Sequence, residues 1–380
     1  MTRRVLMLVL LGLGSVGLAA QSFNLEDLQI HGFATQGFLY SSHNNYLTMN
    51  SNRGSLQWTE GAISLNDPLS DNLRVGMQLH MYQMGQIGGP SVLIDWASGD
   101  YDFREQLGLR AGKVKIPMGL YNDSQDVDSL FLWVLLPQSI YPVDNRDFDL
   151  ALLGGEAYGE QILGPRGGML QYSAYYGEST LDPNGGYNLQ LQQFGLIFSS
   201  PPSGRVYGGD LRWVTPMRGL LIGSSTQSQA LDGTAPQGSL HMAPNFMDAF
   251  YAEWKWKKAS FEGEYWRSPV RPVLTIGAEV VPISVDSRAW YAMASYELTN
   301  KLQAGTYYSH YVNQNADTSL AQNYSKDWVI AGRYNFNQYF YGKLEGHFLH
   351  GTGLGYYAST NPNGLEPNSN MLAARVGFAF

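Results

Sequence analysis

The 380-residue chain has no cysteine and carries 24 Lys and Arg against 32 Asp and Glu, a net charge of −8. The missing cysteines exclude a disulfide framework, and the acidic balance gives no reason to expect nucleic-acid binding. The apolar fraction of 44% is ordinary, but 25 Tyr, 16 Phe and 9 Trp make aromatics 13% of the chain, and there are 43 Gly.

The N-terminal stretch "MTRRVLMLVLLGLGSVGLAAQS" places two arginines before an apolar run and then small residues. This is the pattern of a secretory signal peptide, expected over residues 1–20 with cleavage after Ala19 or Ala20. Its removal takes out Arg3 and Arg4 but no acid, leaving 22 basic residues against 32 acids and a net charge of −10. Beyond it no apolar run approaches the ~20 residues of a membrane helix, and "LFLWVLLP" (130–137) is the longest candidate.

The rest of the chain reads as alternating segments of about ten residues separated by turn chemistry. Short connections rich in Gly, Pro, Asn or Asp are expected at 66–72, 98–102, 163–167, 215–219, 257–259, 298–301 and 335–338. Longer, irregular ones are expected at 41–53, 83–90, 117–150, 178–204, 229–245, 268–287, 313–326 and 351–369. Short and long connections alternate, which gives sixteen strands and places 21–380 in one all-β transmembrane antiparallel barrel. If "LQLQQFGLIFSS" (189–200) and "VLTIGAEVV" (273–281) also span, the count becomes eighteen. A soluble two-sheet sandwich has the same period. Aromatics beside the short turns (Trp213, Trp254, Trp256, Phe336, Tyr339, Phe340) favour the barrel, because they resemble an interfacial girdle.

One face of each segment is apolar and the other polar. In "DWVIAGRYNF" (327–336), Trp328, Ile330, Gly332, Tyr334 and Phe336 point to lipid, and Asp327, Ala331, Arg333 and Asn335 point inward. In "FYGKLEGHFLH" (340–350), Phe340, Leu344 and Phe348 point out while Lys343, Glu345 and His347 point in. Arg74, Gln78, His80, Asp210, Arg212, Glu262, Glu264 and Arg375 join the inner set. A Lys or Arg on the lipid face would cost about 2–4 kcal/mol at the midplane. A polar, water-filled lumen is therefore expected.

The stretch 107–149 is the most informative. Leu107, Leu109 and Ala111 alternate outward with Arg110 inward, and the parity slips at Gly112, where a bulge is expected. Lys113 and Lys115 then take the polar role, and Pro117 ends pairing. The following loop holds Asp123, Asp126, Asp128, Asp144, Asp147 and Asp149 against a single Arg146, with the apolar "SLFLWVLLP" in its middle. A loop with such an anchor should fold inward. Asp123, Asp126, Asp128 and, with them, Asp147 are then expected to face Arg110, Lys113 and Lys115 across a constriction, and Arg74, Arg333 and Arg375 extend the basic wall. The terminal "AARVGFAF" (373–380) alternates as a last strand closing on 28–40.

An inward-folded third long loop after the fifth strand resembles the porins of Gram-negative outer membranes. "GKVKIPMG" (112–119) resembles a strand-to-loop segment of the phosphate-selective porin O/P type, and "KLEGHFLHGTG" (343–353) resembles a near-terminal strand of related proteins. The resemblance implies an outer-membrane location and passive diffusion of small hydrophilic solutes or ions. It also implies outer-membrane lipid around the wall, recognition of the terminal Phe380 by the barrel-assembly machinery, and a homotrimer. No cofactor is implied, and a plug domain has no room before residue 28. An enzyme is the weaker alternative: neither G-x-S-x-G nor HExxH occurs, and the 7 His are scattered. A sealed structural or adhesive barrel is the other alternative.

Overall fold

The computed structural model describes residues 27–380, so the expected signal segment lies outside the described residues, as does the side chain of Asp147. In chain order the strands are β1 (Gln29–Ser41), β2 (Ser55–Pro68), β3 (Leu73–Met84), β4 (Ile87–Gly88), β5 (Leu93–Arg104), β6 (Leu107–Lys115), β7 (Ala151–Ile162), β8 (Met169–Thr180) and β9 (Ser203–Val214). They continue as β10 (Leu220–Ala235), β11 (Gly238–Trp256), β12 (Ala259–Val270), β13 (Val273–Ile276), β14 (Glu279–Pro282) and β15 (Val285–Glu297). The last are β16 (Leu302–Asn313), β17 (Tyr324–Asn335), β18 (Phe340–His350) and β19 (Asn368–Ala379). Two short helices are α1 (Arg146–Leu150) and α2 (Gly186–Gln193).

Sixteen of these strands form one closed antiparallel wall. β1 bonds both β2 and β19, and its register with β19 runs from Phe33 opposite Ala379 to Ser41 opposite Met371. Gly32 and Phe380 exchange backbone hydrogen bonds at 3.1 and 3.0 Å and finish the seam. Closure leaves no unpaired edge, which a hydrocarbon surround would penalise. β4, β13 and β14 stand outside the wall, β4 on the end of β3 and the β13–β14 hairpin on the outer end of β11. Residues 189–200 and 273–281 therefore do not span: the first begins inside α2, and the second lies in that hairpin.

Two expected boundaries move. The expected turn at 98–102 is interior to β5, which reverses only at 105–106. Its Asp100 and Asp102 imitate turn composition but are inward residues bonded to Arg74, Arg110 and Tyr158. The expected loop at 229–245 is strand on both sides of a tight reversal at 236–237. There β10 and β11 run beyond their neighbours, where neither face needs to be apolar. The bulge expected at Gly112 is also displaced. Gly112 adopts φ 132° but pairs without a shift on both sides. The irregularity lies in β5, where Asp95 is the extra residue opposite Gln78 and Leu79.

The outer face follows the alternation. Trp328, Ile330, Tyr334, Phe336, Phe340, Leu344 and Phe348 are all exposed. Trp328 and Phe336 are eight positions apart, about 26 Å of strand. At a tilt near 40° this spans roughly 20 Å, close to the apolar band of an outer-membrane barrel. Aromatic contacts gather at both ends of that span. Tyr308 meets Trp328 toward the long loops, and Phe340, Phe378 and Phe380 cluster beside the short turns.

The inner face departs from a simple water-filled lumen. The loop between β6 and β7 enters the barrel and packs against the walls of β15 to β19, β1 and β2. Leu132 and Trp133 join Tyr291, Tyr307, Val329 and Ala331 in one buried cluster. Val134 and Leu135 join Leu39, Trp58, Leu349 and Met371 in another. Burial of each such side chain contributes roughly 1.5–3 kcal/mol, which accounts for an apolar stretch in a polar lumen. Lys343, Glu345, His347 and Arg375 point inward as expected but meet protein there and are buried.

Candidate functional site

The loop is held by buried charge on the wall. Asp128 accepts from Arg375 at 2.5 Å, from the Tyr341 hydroxyl at 2.7 Å and from Lys343 at 3.0 Å. Burial alone would raise its carboxyl, yet Lys343 and Arg375 hold it well below the usual carboxylate range. Arg375 also reaches Glu60 at 3.2 Å and stacks over Trp58. Lys343 donates further to the carbonyls of Asp128 and Trp133. Arg333 donates to the carbonyls of Ser129 and Phe131 at 2.6 and 2.8 Å. Next to them Glu345 accepts the backbone N–H groups of Val134 and Leu135 at 2.7 and 3.0 Å, and His347 lies between Glu345 and Asp327. The expected basic residues Arg333 and Arg375 are thus on the inner wall, but their charge is spent on the loop.

A second set seats the start of the loop. Asp126 is fully buried, 2.7 Å from Lys115 and 2.9 Å from Gln78. Gln78 also bonds Asp95, which pairs with Arg146 at 2.6 Å. Gly119 sits at φ 66° against Glu264 and Tyr141, where a Cβ would collide. Glu264 accepts from Leu120 N–H, Trp266, Tyr141 and Tyr291.

On the opposite side of the barrel Ile116 and Met118 at the start of the loop pack against Leu152, Tyr175, Val206 and Ala249, and the wall toward the short turns is left open. Two adjoining cavities of about 550 and 540 Å³ lie there toward the short turns, and both are lined by Arg110, Pro117, Asp123 and Glu156. Arg110 pairs with Glu156 at 2.7 Å and Asp100 at 3.1 Å, and Arg74 with Asp102 at 2.8 Å. Arg212 reaches Asp210 at 2.8 Å, Asp123 at 3.6 Å and the Gly119 carbonyl at 3.0 Å. A third cavity of about 490 Å³ lies toward the long loops and is lined by Met118, Asn122 and Gln125. The segment 117–125 therefore stands between the two ends, with Asp123 and Arg212 beside it.

Among the expected residues, Arg74, Arg110, Lys115 and Asp123 meet around the open side. Asp126, Asp128, Arg333 and Arg375 belong to the loop's anchorage. Lys113 stands apart. It lies opposite Ala97 and Leu153, Leu153 is 68% exposed, and residues directly opposite share a face. Its ammonium donates to the Ile94 carbonyl. Sequence reasoning placed Asp210 and Arg212 inward but gave them no role, and it missed Asp100, Asp102 and Glu156. Their alternation within β5 and β7 was the available signal. Lys115→Glu should set a second carboxylate against buried Asp126 and cost about 3 kcal/mol of barrel stability. Lys113→Glu should lose only the hydrogen bond to the Ile94 carbonyl, about 1 kcal/mol, and leave the ion preference unchanged. Thermal unfolding and reversal potential of the two variants, side by side, check this.

On the lining of the third cavity, Asp149 has no side-chain partner among the described residues. Burial first, and Asp144 second, push its carboxyl up to about 7. Between about pH 4 and 7 the folded chain then holds a proton that the unfolded chain releases, so this group makes the barrel more stable as pH falls from 7 toward 4. Unfolding midpoints across that range should show the slope, and Asp149→Asn should remove its share.

No protein-family profile matches the sequence, and no curated protein matches it. Solved structures do. OmpF of Salmonella typhi in complex with daunomycin superposes with TM-score 0.59 at 12% identity, over 93% of this chain and 97% of that one. The anion-selective porin from Comamonas acidovorans gives 0.58 at 12%, over 93% and 99%. OmpT of Vibrio cholerae, an outer membrane protein solved in a trimer form, gives 0.55 at 9%, over 93% and 99%. At such identities the likeness is one of fold: this chain shares the closed antiparallel barrel of these outer-membrane proteins.

Proposed function

We propose that the barrel is a passive outer-membrane channel for small hydrophilic solutes or ions, with its passage off-axis between the β3–β9 wall and the segment 117–125. The observation that carries this is the pair of adjoining charged cavities left open beside the inward loop. Their lining is charged on both the wall and the loop side, which favours hydrated solutes and disfavours apolar ones. Eight acids and five basic side chains line the two cavities together, which supports a preference for cations. Phosphate selectivity of the O/P type is not favoured, because Lys113 is on the outer face and Lys115 is neutralised by Asp126. Assembly as a homotrimer is part of the same reading, supported by the trimer form of the Vibrio cholerae neighbour. Single-channel recording of the refolded protein in planar bilayers, under a salt gradient, tests the proposal. Discrete steps with a cationic reversal potential are expected. Insertion without current would favour a sealed barrel, with the Asp123–Arg212 pair closing the gap.

A further inference from the structure

The third cavity differs in chemistry from the two at the turn end. One wall is aliphatic: Leu181, Leu231, Leu240 and Leu274 form a single buried cluster with Phe148. Aromatic rings, with amide side chains such as Gln138, Gln190 and Gln227 between them, complete the lining. Tyr141 meets Trp266 edge to face with centroids 5.8 Å apart, and Phe148 meets Tyr187 at the same separation and 86°. Its volume of about 490 Å³ is that of a small-molecule site. The charged groups on the lining are Asp144, Arg146 and Asp149. Asp144 already accepts the Tyr357 hydroxyl, and Arg146 already donates to Asp95. Asp149 alone lacks a side-chain partner among the described residues. When ionised, this carboxylate lacks the cation that would compensate its desolvation. A solute ammonium would supply that cation, and nearby rings would favour its charge. An anion would instead add negative charge beside Asp144 and Asp149. A carbohydrate could pair some hydroxyls with amides such as Asn122 and Gln125 but would leave others unpaired against the leucine wall.

We infer that this cavity binds small amphipathic monocations, an aromatic or bulky apolar group bearing one primary ammonium. The ammonium pairs with Asp149, and the apolar body lies against Phe148, Tyr187 and the leucine cluster. The inference deepens the channel reading and rests on it for its use: a solute class captured on the loop side before the charged passage. Isothermal titration of the refolded barrel in detergent tests it, with 2-phenylethylammonium, 3-phenylpropionate and maltotriose as probes. The cation should bind at least about tenfold more tightly than either other probe, the scale of one charge-assisted contact. Asp149→Asn should lose about tenfold for the cation alone, and Leu240→Gln should weaken it while preserving the preference for it. Equal or tighter binding of the anion or the sugar, no binding of the cation, or an unchanged affinity in Asp149→Asn would each overturn the assignment. Planar-bilayer conductance of the same preparation separates the two readings. Current without cation binding removes only this site, and binding without current removes only the channel.

Discussion

Asp128→Ala lowers the unfolding free energy of the barrel by about 3–5 kcal/mol and raises its single-channel conductance. The stability loss follows from what remains behind. Arg375 and Lys343 are buried and share this one carboxylate, so its removal leaves two cations in a dry interior with Glu60 as the remaining acid partner. The conductance change follows from position. The loop's hold on β17 to β19 runs through Asp128 and its neighbours Ser129, Phe131 and Trp133, and a loosened loop opens the filled side of the lumen. Thermal unfolding followed by gel mobility, together with bilayer recordings, reads both effects. A variant as stable as the parent and with the same conductance would count against the loop being clamped there.

Asp102→Lys combined with Asp123→Lys reverses the ion preference. The two side chains are 39% and 37% exposed, so they can be exchanged without burying an unpaired charge. The cavity lining passes from eight acids and five basic groups to six and seven. The sign of the reversal potential under a salt gradient should change accordingly. High salt should reduce the difference, since exposed charges are screened within ~10 Å at 0.1 M. An unchanged sign would place the selective charges elsewhere in the barrel.

The wall was legible in the sequence because a strand between lipid and lumen must alternate. β17 and β18 show this residue by residue, from Trp328 outward and Asp327 inward to Phe348 and His347. Where that constraint lapses, legibility lapses with it. Beyond the membrane the ends of β10 and β11 need no apolar face, so 229–245 looked like loop. Inside β5, Asp100 and Asp102 are polar for the lumen's sake, so 98–102 looked like a turn. The inward loop was legible from an apolar anchor among acids. Which wall it would lean on was not, because that depends on contacts between residues some two hundred positions apart, such as Lys343 with Asp128. The same limit separated Lys115 from Lys113: both suit a polar face, and only the registers with β5 and β7 distinguish them.

The seam between β1 and β19 also bears on how the molecule is made. Arg375 lies on the seam strand β19, 247 positions from its partner Asp128, and its other partner Glu60 lies on β2 at the far side of the seam. The ion cluster that fixes the loop is complete only when the first and last strands have met. Contacts of such sequence separation come late and slowly in folding. Ring closure and loop docking then become one event. An unclosed sheet would carry an unseated loop with its leucines and its tryptophan exposed, and heating should open seam and interior in a single cooperative step.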